Sequence, residues 1–487
     1  MTNSAFPTTR AIQPSQPPFR AVRWVLRRLL PSLLALSPSC LIPAFAQAPV
    51  PASVLDTYVA QGLQTNLTLQ QRQASRAKGQ AALQIARALF YPTLDLNARY
   101  SVASGGRQIE LPMGNLLNGA YSTLNQLTGS NRFPQLSNLS IPFLPPKMQE
   151  TKLRLFVPVY QPSLHYSYAI SREQVQVEAL DVRRYRRELV KEIKVAYFNF
   201  LAAQRVIVLY EHTLQLVERN ERVNVKLVEN QRATADVIYR AQAEVSGVVQ
   251  QLAEAYKNEQ VARAYFNFLL NRPQETSIAA LPESVLTLSE PQALVALTAR
   301  ASQNREEIQG QQRAVGIAQL SQGLASSRYL PTVSGLVEHG VQGATYDLSA
   351  YTSNRFTQAS LVLNWTLFGG WQNRAQANRA RADEHQQMAR LQEVQAQIDL
   401  EVRQDYYELL AARAAVQAAE DRLTNARQAF RLVSRQYEEG LTPLLQFIDA
   451  RTTATNAELN VILTKYAYLG QLAHAERSAA SYPLLAN

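Results

Sequence analysis

The groups in this 487-residue chain that could carry covalent or metal chemistry are few and scattered. His165, His212, His339, His385 and His474 lack metal-ligand spacing, and the single cysteine, Cys40, has no partner for a disulfide. There is no G-x-S-x-G elbow, Walker A loop or dinucleotide fingerprint. The expectation is a protein that is not an enzyme and needs no cofactor or metal, with any energy supplied by a partner. The charges that do recur in a pattern are Asp95, Arg99, Lys152 and Arg154, each one step out of phase with apolar neighbours. Side chains of mixed sign along one strand face suit a water-filled lumen, and they point to no single substrate.

Those charges are positioned by strands. In 93–102, Leu94, Leu96, Ala98, Tyr100 and Val102 alternate with Thr93, Asp95, Asn97, Arg99 and Ser101. In 152–159, Leu153, Leu155, Val157 and Val159 lie opposite Lys152 and Arg154. Leu361, Leu363, Trp365 and Leu367 face away from Ser360, Asn364 and Thr366, and a weaker alternation runs from Leu330 to His339. Strands near ten residues with this alternation are the pattern of a transmembrane β-barrel, although a half-exposed soluble sheet alternates in the same way. Aromatic residues decide between the two. Phe90, Tyr91, Tyr160, Tyr329, Phe368 and Trp371 all sit where strand meets helix, at one end of the four strands, as a membrane-interface belt requires. No uninterrupted apolar run of about 20 residues is present, so a helical membrane span is not expected.

Long helices flank the strands. No Gly or Pro occurs from Ser163 to Ser246 or from Trp371 to Glu439, and the second run alone would reach roughly 100 Å at the rise of an α-helix. Apolar residues recur at spacings of three and four through Leu189, Ile193, Ala196, Phe200, Ala203, Ile207, Tyr210, Leu214 and Val217. The register returns at Ile398, Val402, Leu409, Ala412, Val416, Ala419, Leu423, Ala426 and Phe430, broken only by Asp405. Heptads sustained this long predict coiled-coil packing.

The chain also repeats itself. Tyr91-Pro92-Thr93-Leu94 matches Tyr329-Leu330-Pro331-Thr332, 153–160 matches 361–368, and 196–201 matches 405–410. Residues 47–275 and 276–487 are therefore expected as two repeats, meeting in a proline-containing stretch near 271–291. Each runs helix, strand, loop, strand, very long helix, turn, helix, with strands at about 91–102, 151–160, 329–339 and 357–368. The fold class is mainly α with transmembrane β. The loop 103–150 is long and that at 340–355 short.

Residues 1–46 read as a signal peptide, with Arg20, Arg23, Arg27 and Arg28, a leucine-rich stretch from Leu29 and Ala44-Phe45-Ala46 before Gln47. Cleavage there lowers the net charge from +11 to +6 and removes Cys40. Lipidation of Cys40 would call for Leu three residues earlier, where Ser37 stands. No aromatic-interleaved basic patch supports nucleic-acid binding. Four strands cannot close a barrel around a pore, and a bilayer tolerates no open sheet edge. Three copies contributing twelve strands to one barrel are the economical expectation, with outer-membrane lipid around it, the helices in the periplasm and both loops outside.

The sequence resembles the TolC-like outer-membrane efflux proteins over essentially the whole mature chain. The resemblance rests on the doubled plan, on Phe-Tyr-Pro-Thr-Leu at 90–94 echoed by Tyr-Leu-Pro-Thr-Val at 329–333, and on Leu-Phe-Gly-Gly at 367–370. Tyr-Glu-Glu-Gly-Leu-Thr-Pro-Leu-Leu-Gln-Phe-Ile-Asp-Ala at 437–450 looks like the family's hairpin tip. The resemblance implies a homotrimeric exit duct for efflux or type I secretion, with a periplasmic α-helical tunnel docked through an adaptor protein to an inner-membrane pump. It implies a periplasmic gate in which Tyr437 and Asp236 form an inter-helix link and Thr442 stands where the prototype has arginine. Gln446 and Asp449 replace its two constriction acids. It also implies that the tips, Asn230, Gln231, Arg232 and Ala233 in the first hairpin and Glu439, Gly440 and Leu441 in the second, meet the adaptor.

Two other classes share some of these features. A periplasmic adaptor would have one hairpin flanked by β-rich domains. A coiled-coil scaffold of the envelope would explain the heptads but not the signal or the aromatic-flanked strands.

Overall fold

The computed structural model describes residues 54–280, 290–344 and 354–482. The expected export signal and Cys40 lie outside these residues, as do 281–289 of the expected linker and 345–353 of the second inter-strand loop. Two short helices, α1 (Val54–Thr65) and α2 (Leu67–Ala88), lead into β1 (Thr93–Val102). Asn66 breaks them apart in extended backbone, and its side-chain oxygen accepts from the Leu69 amide at 3.0 Å, an N-cap for α2.

The stretches without glycine or proline become very long helices. β4 (Lys147–Tyr160) feeds α4 (Pro162–Glu229), whose 68 residues extend about 100 Å. Proline at its first position supplies the fixed φ that a helix start accepts. The chain turns at 230–235 and returns as α5 (Asp236–Leu269). That turn has no glycine, and Gln231 takes the left-handed conformation instead, at φ 59°. The Arg232 amide then reaches back to the Leu227 carbonyl at 2.8 Å, closing the helix end. Further on come α6 (Leu294–Asn304), α7 (Glu306–Ser326), β5 (Thr332–Gly343) and β6 (Arg355–Asn364). The last two elements are α8 (Gln372–Glu438) and α9 (Leu444–Ser478). Here Gly440, at φ 78°, makes the turn.

The core lies where α1, α5, α8 and α9 close on the middle of α4. Tyr197, Phe200, Ile193, Phe266 and Tyr468 are all fully buried there. Tyr197 keeps its hydroxyl satisfied by donating to the Ala279 carbonyl at 2.8 Å. The expected heptad positions Leu189, Ile193, Ala196, Phe200, Tyr210 and Val217 are buried, as are Ile398, Val402, Leu409, Val416, Ala419 and Ala426. One window of α4 is long and apolar enough to cross a membrane, but half of it is buried in this packing. The two longest helices differ: α4 buries seventeen of its 68 residues and α8 only seven of 67. On α8, Leu400, Tyr407 and Leu432 stand exposed.

The four long strands form one antiparallel sheet in the order β1-β4-β5-β6. β6 ends at Asn364, so Trp365, Thr366, Leu367 and Phe368, expected in the strand, lie beyond the ladder. The Trp365 indole N–H donates to the Tyr329 carbonyl at 3.0 Å, which holds this segment against the start of β5. Pro158 has no amide to give a central strand, and the β4–β5 register shifts beside it. The loop 103–146 is not structureless. It carries β2 (Gln108–Leu111) paired with β3 (Leu139–Pro142), and between them α3 (Met113–Thr128). Asparagines and leucines without charges gave no clear period there.

Candidate functional site

Strand register brings the charges together. Asp95 lies opposite Arg154, which lies opposite Glu338, while Arg99 faces Glu150. Lys152 Nζ is 2.8 Å from Glu150 and 3.4 Å from Glu338, and Arg154 reaches Glu338 at 3.7 Å. All six share one face, with three of each sign. Lys152 pairs with Gly340, where a Cβ would come within 2.3 Å of the Thr151 carbonyl and 2.6 Å of the Lys152 Cβ. Glycine therefore lets Lys152 lie flat toward its two carboxylates. Glu150 and Glu338 were not among the residues singled out from sequence. Their signal was one residue of strand phase opposite Lys152 and Arg154. The other face carries Leu94, Leu96, Leu153, Leu361 and Leu363, all exposed.

At the helix end of the strands, Tyr91, Tyr160, Tyr329, Phe368 and Trp371 are exposed. Phe368 and Trp371 meet edge to face at 5.9 Å, and the Arg374 guanidinium lies 6.0 Å over the Trp371 ring. Phe90 departs from this group. It continues the inner face of α2 for one more turn and packs edge-on against His165 at 5.1 Å and Tyr168 at 6.1 Å. It is a packing residue of the α2–α4 junction, and Trp365 joins the exposed aromatics instead.

At the far end of the helices, the expected Tyr437–Asp236 link does not form within the chain. The Tyr437 hydroxyl donates to Asn224 Oδ1 on α4 at 2.8 Å. Burial pushes the Tyr437 phenol above its ordinary range, so it remains a donor. Asp236 sits at the first turn of α5, where Thr234 donates to it and Arg240 approaches at 3.4 Å. The Thr234 bond, with Arg240, holds its carboxyl below the ordinary range. A local partner on each side is the physical reason the longer link is absent. Thr442 donates to Gln436 at 3.4 Å.

Phe447 locks this corner, stacking on Tyr437 at 4.8 Å and touching Phe430 at 5.6 Å. One turn further, Arg451 is buried and paired with Glu244 of α5. Sequence reading missed both Asn224 and Arg451. A polar residue at a heptad position was their only signal. Gln446 and Asp449 are exposed one turn apart on α9, away from Phe447. Asn230, Gln231, Arg232, Glu439, Gly440 and Leu441 are exposed at the two tips, with Ala233 half-buried.

Among the described residues no His, Cys, Asp and Glu cluster could hold a metal ion. The arrangement suits conduction: a charge-balanced strand face, an opposite aliphatic face, an aromatic rim and long helices from one end.

Comparisons with known proteins agree with that reading. Residues 297–476 match the family described as outer membrane efflux protein. The chain is 22% identical over 466 residues to outer membrane protein TolC of Escherichia coli (strain K12), covering 91% of this chain and 84% of that one. The Campylobacter jejuni CmeC outer membrane channel shares the fold at a TM-score of 0.71, with 15% identity, over 88% of this chain and 85% of that one. The open state of the Neisseria gonorrhoeae MtrE outer membrane channel does so at 0.69, with 17% identity, over 87% and 88%. Charge-lined strands, long helices from one end of the sheet and these matches together make the chain similar to the TolC-like outer-membrane efflux proteins, and its fold is that of their outer-membrane channels.

Proposed function

We propose that three copies of the chain close one twelve-stranded barrel, four strands each, above a continuous periplasmic helical tunnel. The observation that carries this is the sheet itself. β1 and β6 are both edge strands, and one face between them is aliphatic and exposed. Unpaired edge amides and carbonyls cost several kcal/mol each in hydrocarbon, so β1 of one copy must pair with β6 of the next. The sparse burial of α8 supports the same assembly, because its exposed Leu400, Tyr407 and Leu432 gain cover only from another copy. Asp95, Arg99, Lys152 and Arg154 then face the lumen with Glu150 and Glu338. Tyr91, Tyr160, Tyr329, Trp365, Phe368 and Trp371 lie at the periplasmic interface, in outer-membrane lipid.

In this reading the two hairpin ends form a gate. The second hairpin is held to the first by Tyr437–Asn224 and Arg451–Glu244, while Phe447 stacks on Tyr437 within the second hairpin. Three copies of Asp449, with Gln446 one turn before, line the narrowest point and attract cations. The exposed tips around Gln231 and Gly440 dock a periplasmic adaptor that couples the duct to an inner-membrane pump. The test is fractionation of outer membranes followed by native mass measurement. A heat-resistant trimer in that fraction supports the proposal, and a monomer or a periplasmic location would overturn it.

A further inference from the structure

The arm formed by residues 103–146 has a bare apolar side that the duct described so far leaves unexplained. β2 and β3 pair Ile109 with Ile141 and Leu111 with Leu139, which puts all four on one face of a two-stranded ribbon. Each is exposed, at 45%, 42%, 39% and 52%. A two-stranded ribbon with an uncovered aliphatic face is marginal in water and marks a contact surface.

The head of the arm is built to keep its shape. Asn118 donates to the Leu136 carbonyl at 2.9 Å and accepts from its amide at 2.7 Å, and Asn125 does the same with Phe133 at 2.8 and 3.1 Å. Gly114 sits so close that a Cβ would be 2.3 Å from the Leu136 carbonyl. These contacts fix one side of α3 inward and leave Leu116 and Leu127 outward, 71% and 78% exposed. The arm is therefore ordered, and its apolar residues face out by construction.

The root of the arm lies at an edge of the sheet. The arm continues the β1–β4 hairpin. The Ala103 amide bonds the Pro146 carbonyl at 3.0 Å, and the Phe143 amide bonds the Arg107 carbonyl at 2.9 Å. Between them Gly105 and Gly106 take φ of 78° and 101°, a backbone turn that other residues rarely adopt, with Leu144 beside Gly106. β1, the strand that carries this root, is an edge strand and so lies beside the next copy when the barrel closes. Neighbouring arms start next to one another at the same rim. Charge argues against lipid headgroups as the cover. Between 103 and 146 only Arg107, Glu110 and Arg132 are charged, whereas a surface that reads anionic lipid carries clustered Lys and Arg.

We infer that the three arms pack on one another through these faces and form an apolar cap over the outer mouth of the duct, the occupant of each face being a second copy of this chain. This rests on the trimeric reading above. The cap would hold the mouth narrow to large hydrophilic solutes while leaving the charge-balanced lumen beneath it unchanged.

Cys40 is the only cysteine, so a Cys40→Ser background permits clean cross-linking in the full chain in outer membranes. With an added oxidant, Leu116→Cys or Ile141→Cys should convert at least half of the chains to covalent dimers. Ser140→Cys, on the opposite ribbon face, should convert fewer than a tenth. Ile109→Asp combined with Ile141→Asp should raise single-channel conductance at least two-fold with the trimer intact by native mass. Failure of both cysteines to cross-link in an intact trimer overturns the cap. Cysteines shielded from an aqueous maleimide yet not cross-linked would mean lipid covers the face, which also overturns it. Absence of the trimer itself would overturn the underlying reading, and the cap with it.

Discussion

Arg305 ends the gap between α6 and α7 with its guanidinium 2.9 Å from Glu401 on α8, and the same group holds Glu307 at 2.9 Å. Arg305 is 3% exposed, and its Nη1 also donates to the Ser478 carbonyl at 3.0 Å. Glu401 and Glu307 are shared with Arg477 of α9, which also takes Glu188 of α4. One polar knot thus ties together helices far apart in sequence. Removing one partner of a buried pair strands the others, at a cost of about 3–5 kcal/mol. Arg305→Ala should therefore lower the melting temperature of the detergent-solubilised protein sharply, while Arg403→Ala, in the exposed Arg403–Asp399 pair, should shift it little. Circular dichroism of both variants checks this.

The same knot sets a pH dependence. Burial works to raise the carboxyls of Glu188 and Glu307, but Lys191 and Arg477 beside the first, and Arg305 and Arg477 beside the second, outweigh it and hold both below the ordinary 4.5. A lowered folded pKa contributes stability that is full above 4.5 and is lost as pH falls through the depressed values. Asp405 has the opposite sign. Burial, with Glu401 and Glu408, raises it above 3.8, so its ionised form destabilises the fold above the raised value and the cost vanishes on acidification. Melting should be steady near neutrality and fall below about pH 4.5. Asp405→Asn should raise the plateau, and an unchanged plateau would count against this account.

Tyr437→Phe removes the hydroxyl from Asn224 but keeps the stack on Phe447. The loss is about 1 kcal/mol per chain, enough to shift the proposed gate toward open in planar-bilayer recordings. Asn224→Ala should do the same, and the two together should add little beyond either one. Asp236→Ala should leave the gate unmoved, since its partners are Thr234 and Arg240.

Asp449→Ala should reduce cation selectivity and divalent block, because it removes the exposed acid of α9 from the proposed constriction. Unchanged recordings would place the narrowest point elsewhere.

Replacing Gly440 and Leu441 with bulky charged residues should abolish efflux while leaving the trimer assembled. Gly440 has φ 78°, so Gly440→Ala alone carries backbone strain and serves as the control for a local turn effect. Efflux that survives the charged pair would remove the tips from the docking surface.

The sequence carried the long elements well because their periods are clean. β1 appears at Thr93–Val102, where its alternation runs, and the α4 register from Leu189 to Val217 follows the buried stripe. What escaped it depended on register across the sheet or on a partner distant in sequence. Glu338 finds Lys152 only once β4 and β5 are aligned, and Tyr437 finds Asn224 only once the two hairpins lie side by side. α3 escaped because its inner face is held by polar contacts, Asn118 to Leu136 and Asn125 to Phe133, and not by an apolar stripe.

The two uncovered edges, β1 and β6, also bear on how the protein is made. A single chain cannot enter the bilayer with both edges bare, so in the proposed trimer the copies must meet before their strands cross it. The helices need no such wait, since each closes its own hydrogen bonds. Biogenesis should therefore begin with water-soluble helical intermediates that associate, and the yield of inserted protein should rise more steeply than in proportion to the rate of synthesis.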